Sequence, residues 1–77
     1  MATTTAEQII QAMDAADRPQ KWTADKADIA LSTFRRKLRG VGEFTLTELA
    51  RIAHALGVKP ADLLPDEFRD EHVDAAA

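Results

Sequence analysis

The segment Phe44-Thr45-Leu46-Thr47-Glu48-Leu49 fixes the start of a helix more tightly than any other stretch of this chain. A threonine followed three residues later by glutamate forms a capping box. Its hydroxyl takes one orphan amide of the first turn, and the carboxylate takes the threonine's own amide. Phe44 and Leu49 have the spacing of a hydrophobic staple across that start. The helix it opens carries Leu46, Leu49, Ile52, Ala53 and Leu56 at helical intervals, so it is expected to bury all five and to stop at Gly57. Thr4-Thr5-Ala6-Glu7 has the same box form, and Ala6, Ile9, Ile10, Met13 and Ala16 follow it as one apolar stripe.

Between these two helices the punctuation predicts two more. Pro19 suits a first helical position, where its missing N–H costs nothing, so a second helix is expected over 19–27 with Trp22 and Ala24 facing inward. Asp28-Ile29 reads as a tight turn. The basic segment 30–39 then runs helical to Gly40, which suits a left-handed ending, and Gly42 keeps the following loop open. Pro60 begins a short fifth helix with Leu63 and Leu64, which Pro65 ends. There is no strand alternation and no internal repeat, so the expected fold is all-α, a compact bundle of about five short helices.

With 77 residues the chain can build one core and not two. Residues 1–65 are assigned to that domain and 66–77 to an acidic, flexible tail. The chain lacks cysteine and has two histidines, His54 and His72, with no partner at ligand spacing, so no metal and no cofactor are expected. No grouping of serine, lysine or carboxylates suggests catalysis, and Asp14 and Asp17 read as exposed or capping residues. The expectation is a non-enzyme. Without an apolar run of membrane-spanning length or the marks of a signal peptide, a cytoplasmic protein is expected, with no membrane and no small-molecule ligand.

Thirteen acids against ten bases argue against nucleic acid until their positions are considered. Asp66, Glu67, Asp70, Glu71 and Asp74 outweigh Arg69 in the tail, which leaves the remainder close to neutral. Between Ile29 and Gly42 stand Arg35, Arg36, Lys37 and Arg39 with no acid among them. At about 100° per residue, Leu31, Phe34 and Leu38 share one narrow sector of that helix, and Ser32, Arg35, Arg36 and Arg39 lie across from them. Arginines can bond guanine O6 and N7 in pairs, and a small hydroxyl residue lets the helix come close to base edges. The same pattern also fits a solvated surface helix whose cations offset its C-terminal dipole.

The order helix, short turn, basic helix matches a helix-turn-helix. The stretch Ile29-Ala30-Leu31-Ser32-Thr33-Phe34-Arg35-Arg36-Lys37-Leu38-Arg39-Gly40, followed by residues 44–58, resembles the lambda-repressor and Cro-like (XRE-type) helix-turn-helix family over about residues 5–65. That resemblance implies a small phage or bacterial transcriptional regulator that binds double-stranded DNA at specific sequences, with 30–39 as recognition helix in the major groove. It places Ser32, Arg35, Arg36 and Leu31 at base-facing positions, the last with core packing as its competing role. It places Gln20, Thr33, Lys37, Arg39 and the helix start at Thr45 on phosphates.

Leu63, Leu64 and Phe68 either close the core or form a two-fold dimer interface on DNA. Other roles on the same fold are an excisionase-like or architectural DNA-binding protein and a protein-interaction module of the antitoxin or host-takeover kind. The chain departs from the family pattern at Pro19, Thr23, Asp28 and Ala30, where threonine or serine, leucine, glycine and a serine cap are usual. Asp28 must therefore turn left-handed or act as an acidic cap, and Thr23 underfills its core position unless Trp22 swings in.

Overall fold

Both capping boxes form. Thr4 accepts the Glu7 amide at 3.2 Å and receives the Glu7 carboxylate on its own N–H at 3.1 Å. Thr45 and Glu48 repeat the exchange at 3.1 and 2.8 Å. They open α1, Thr5–Ala16, and α4, Leu46–Leu56. Between them lie α2, Gln20–Lys26, and α3, Leu31–Leu38, and a 3-10 turn over Pro60–Leu63 follows α4. This computed structural model describes residues 4–65, and among them there is no strand. The all-α bundle is as expected. The 66–77 tail, with Phe68 and His72, lies outside the described residues.

Each α-helix ends in the same way. The chain passes through a left-handed residue, and the next amide returns to a carbonyl of the preceding turn, the Schellman arrangement. Arg18 N–H reaches Met13 O at 3.0 Å, Ile29 reaches Ala24 at 2.9 Å, Val41 reaches Arg36 at 3.2 Å and Val58 reaches Ala53 at 3.0 Å. Two of the left-handed residues are aspartates, Asp17 at φ 56° and Asp28 at φ 59°. Aspartate is among the few side-chain-bearing residues that tolerate this region. Of the two roles open to Asp28, the chain takes the left-handed turn.

Ile9, Met13, Ala24, Ala27, Ile29, Phe34, Leu49, Ile52, Ala53, Leu56 and Leu63 are the buried apolar residues. They come from every helix, so the core belongs to the whole bundle. Phe34 sits at the centre, fully buried, with its ring edge-on to Phe44 at 6.0 Å between centroids.

Four expectations need correction. Leu46 is not buried but 79% exposed, because the first turn of α4 projects past the bundle before the core begins at Leu49. Ile10 is 39% exposed, whereas Ile9 and Met13 of the same stripe are buried, Ala16 packs against the core, and Gln8 is buried beside them. Pro19 is extended at ψ 166° and precedes α2 rather than starting it. Thr23 does not leave its core position open. Thr23 is itself completely buried, and its hydroxyl donates to Pro19 O at 3.0 Å, which satisfies the polar group that leucine would have avoided. Trp22, half-buried, packs against the core as expected, with the Arg18 guanidinium 4.2 Å from its ring centre and Lys26 at 5.8 Å.

Candidate nucleic-acid interface

The turn between α2 and α3 is closed by the Ile29 amide on Ala24 O, and Ile29 buries its side chain at that corner. Phe34 then fixes the rotation of α3. With Phe34 inward and Leu31 and Leu38 half-buried against the core, Ser32, Arg35, Arg36 and Arg39 must face outward, and all four are exposed. Leu31 packs against the core, as the helical wheel requires, while remaining partly open. Thr33 is half-buried on the opposite flank.

The arginines are not salt-bridged. Among the described residues the ion pairs are Lys21 with Asp25 and Lys37 with Glu48, so Arg35 and Arg36 of α3, and Arg39 directly after it, have no acidic partner there. One of them is held in place from α2. Arg35 Nε donates to Gln20 Oε1 at 3.2 Å, joining the first residue of α2 to the middle of α3. Gln20 and Arg35, fifteen residues apart, thus belong to one surface.

Lys37 is not on that surface. Its ammonium donates to both Glu48 oxygens, at 2.7 and 3.0 Å, and its side chain is only 12% exposed. It also lies 5.9 Å from the Phe44 ring centre. Instead of reaching outward toward a phosphate, Lys37 fastens the end of α3 to the start of α4. Three residues from Phe34 means about 60° around the helix, which puts Lys37 beside the core rather than on the phosphate-facing side that the resemblance implied. What the sequence did not reveal was its partner across the loop. Thr45 is exposed, but its own amide is taken by Glu48. The donors that α4 cannot satisfy internally are the following amides of Leu46 and Thr47.

Burial raises the Glu48 carboxyl, but the Lys37 hydrogen bonds, the Thr45 amide and the Lys37 charge together outweigh it and hold the group below its ordinary value. A depressed folded-state pKa gives stability that is complete above the unfolded-state value, about 4.3, and is lost as pH falls through the folded value. Glu48→Gln is therefore expected to melt well below the wild type near neutral pH. Thermal melts at successive pH values should show that gap closing below about pH 4. A gap that stays constant with pH would mean that the ion pair does not stabilise the fold.

Leu63, at 1% exposure, closes the core under α1 and α4 and has no surface to offer a dimer. Leu64 is half-buried against the same core. Next to it a groove of about 530 Å³ runs past Thr4, Ala6, Gly42, Phe44, Leu46 and Pro65. No helix among the described residues is long and apolar enough to cross a membrane. The described residues also contain no group of three or more His, Cys, Asp or Glu able to hold a metal ion.

Residues 1–76 match the BetR domain family, which covers nearly the whole chain. The chain belongs to the BetR domain family. No curated protein and no solved structure matches it. The BetR match agrees with a small helical domain over this length, whereas the narrower likeness to Cro-type proteins rests on the residues quoted above. In this BetR domain the sequence anticipated the outward sector of α3 correctly. It missed the Glu48–Lys37 tie, because Glu48 already had a complete local explanation as a capping residue.

Proposed function

We propose that this BetR domain is a sequence-specific reader of double-stranded DNA and acts as a small transcriptional regulator, with α3 entering the major groove. The observation that carries this reading is the outward sector of α3: Ser32, Arg35, Arg36 and Arg39, all exposed, with no acidic partner among the described residues. A cationic, hydrogen-bonding face on a helix reached through a tight turn has the shape and chemistry that a groove accepts. Arg35 and Arg36 are the base readers, with Ser32 allowing close approach and Leu31 offering its open edge to a thymine methyl. Gln20, Thr33, Arg39 and the start of α4 at Thr45 serve the phosphates on either side. The reading involves no catalysis and no cofactor. A second copy on an adjacent half-site would add affinity, through Leu64 and residues outside the described segment rather than through Leu63.

Adding a duplex to the isotopically labelled domain and following its amide resonances tests the surface directly. The expected shifts fall on α3, on Gln20 and at the first turn of α4. Shifts confined to the Ile10 side of α1, or none at all, would overturn the assignment.

Arg39→Ala is expected to weaken binding to unrelated sequences alike, because a phosphate contact carries no base information. The slope of log affinity against log salt should fall by about one unit, one released counterion fewer. Titrations of two unrelated duplexes at several salt concentrations check both points, and a loss restricted to one sequence would move Arg39 among the base readers.

A protein-interaction module is the second reading. The apolar groove beside the exposed Leu46 favours it. Its mark would be a partner protein whose binding survives loss of Arg35 and Arg36 and is lost with Leu46→Asp.

A further inference from the structure

We propose that Gly42 is a specificity-setting position: its missing side chain gives the Arg36 guanidinium the place from which it reads a base pair. This rests on the DNA-reading function proposed above. The loop after α3 is tied back to the helix by the Gly40 amide on Lys37 O at 3.0 Å and by the Val41 amide on Arg36 O at 3.2 Å. Gly42 is thereby brought between the side chains of Arg36 and Lys37. A β-carbon built on it would lie 3.3 Å from Arg36 Nη1 and 3.9 Å from Lys37 Cγ. Lys37 Cγ is in ordinary contact and need not move, whereas Arg36 Nη1 is closer than a β-carbon normally approaches, so a new methyl group shifts the guanidinium by a few tenths of an ångström. A paired hydrogen bond to a base edge tolerates little displacement, since productive contacts are held to about half an ångström.

A plain backbone role is the competing explanation, because Gly42 has φ +85° and any side chain is strained there. Gly40 separates the two. It has nearly the same backbone, φ +89°, yet a β-carbon on it would have no neighbour within 4 Å. Alanine at either position therefore meets similar strain, and only at Gly42 does it press on Arg36.

The test uses the full chain as wild type, Gly40→Ala, Gly42→Ala and Arg36→Ala, each melted and then used to select binding sites from random duplexes. Both glycine variants should lose similar thermal stability. The base pair whose preference disappears in Arg36→Ala should lose at least about threefold discrimination in Gly42→Ala, a partial loss of one paired base contact. In Gly40→Ala that preference should be unchanged. The Arg36 side-chain Nε–H resonance of the free domain should shift in Gly42→Ala and stay in place in Gly40→Ala. If alanine unfolds the domain, Gly40→Asn and Gly42→Asn take over, because asparagine tolerates positive φ better. Equal selection profiles for the two glycine variants would overturn the inference and leave the DNA-reading function intact. A folded wild type that selects no sequence would overturn both.

Discussion

Phe34→Ala is expected to lower unfolding stability by about 3–5 kcal/mol, the usual cost of removing a large aromatic side chain from a core. Phe34 is fully buried, is the largest such side chain, and meets Phe44 edge-on. The chain is too small to absorb that loss easily. Domains of this kind are stable by about 5–15 kcal/mol in total, so the variant should be partly unfolded or close to it at room temperature. Urea titration followed by helix content measures the change. Phe34→Leu, which keeps much of the volume, should cost clearly less. A loss below about 1 kcal/mol for the alanine variant would mean that the core relaxes around the gap, and that Phe34 does not fix the rotation of α3.

The effect of Phe34 on function follows from geometry. It is the inward counterpart of the arginine face, so the residue that anchors the core also decides which side chains of α3 point out. Core packing and the exposure of the arginine face are thus coupled through one helix. DNA binding by Phe34→Ala should fall with the folded fraction and show no change in base preference.

Arg36→Ala should behave in the opposite way. Stability should change little, because the side chain is exposed and carries no ion pair among the described residues. Binding to the preferred duplex should weaken by roughly 1–3 kcal/mol, about five- to 150-fold, as expected for one lost paired contact to a base. Binding to a scrambled duplex should weaken far less, so the ratio between the two collapses. Fluorescence anisotropy with both duplexes at one salt concentration gives that ratio. An equal loss on both would make Arg36 a phosphate anchor like Arg39, and Arg35 would be left as the base reader on that face.

Much of this was legible in the sequence wherever a local rule had no rival. The boxes at Thr4–Glu7 and Thr45–Glu48 formed as spaced, and the exposed sector of α3 followed from the 3.6-residue turn. Periodicity failed at Leu46, in the first turn of α4 where a helix can project beyond the core, and at Ile10 in the middle of α1: both fit their stripes and still face outward. It also failed where one residue had two explanations. Glu48 was sufficiently explained as a cap, and Lys37 as another cation of a basic helix, so the contact between them was invisible until the loop brought α3 and α4 together. Thr23 shows the converse. A polar residue at a core position looked like a defect, yet its hydroxyl finds Pro19 O one turn back. That carbonyl also accepts the Thr23 amide at 3.1 Å, and proline at 19 removes only an N–H that the helix start could not have used.

The arrangement gives α3 three supports. Asp28 and Ile29 set its entry, Phe34 its rotation, and Lys37 with Glu48 its far end. Gln20 reaches across from α2 to hold Arg35. Support of this kind keeps long side chains on an exposed helix close to one geometry, which lowers the ordering cost on binding.

Selection of bound sequences from a random pool of duplex DNA by the wild-type domain, repeated with an Arg35→Ala, Arg36→Ala double variant, tests the central claim most directly. The account predicts an enriched motif for the wild type and its loss in a double variant that still melts as a folded domain. A folded wild type that enriches no motif, or a double variant that enriches the same one, would contradict it.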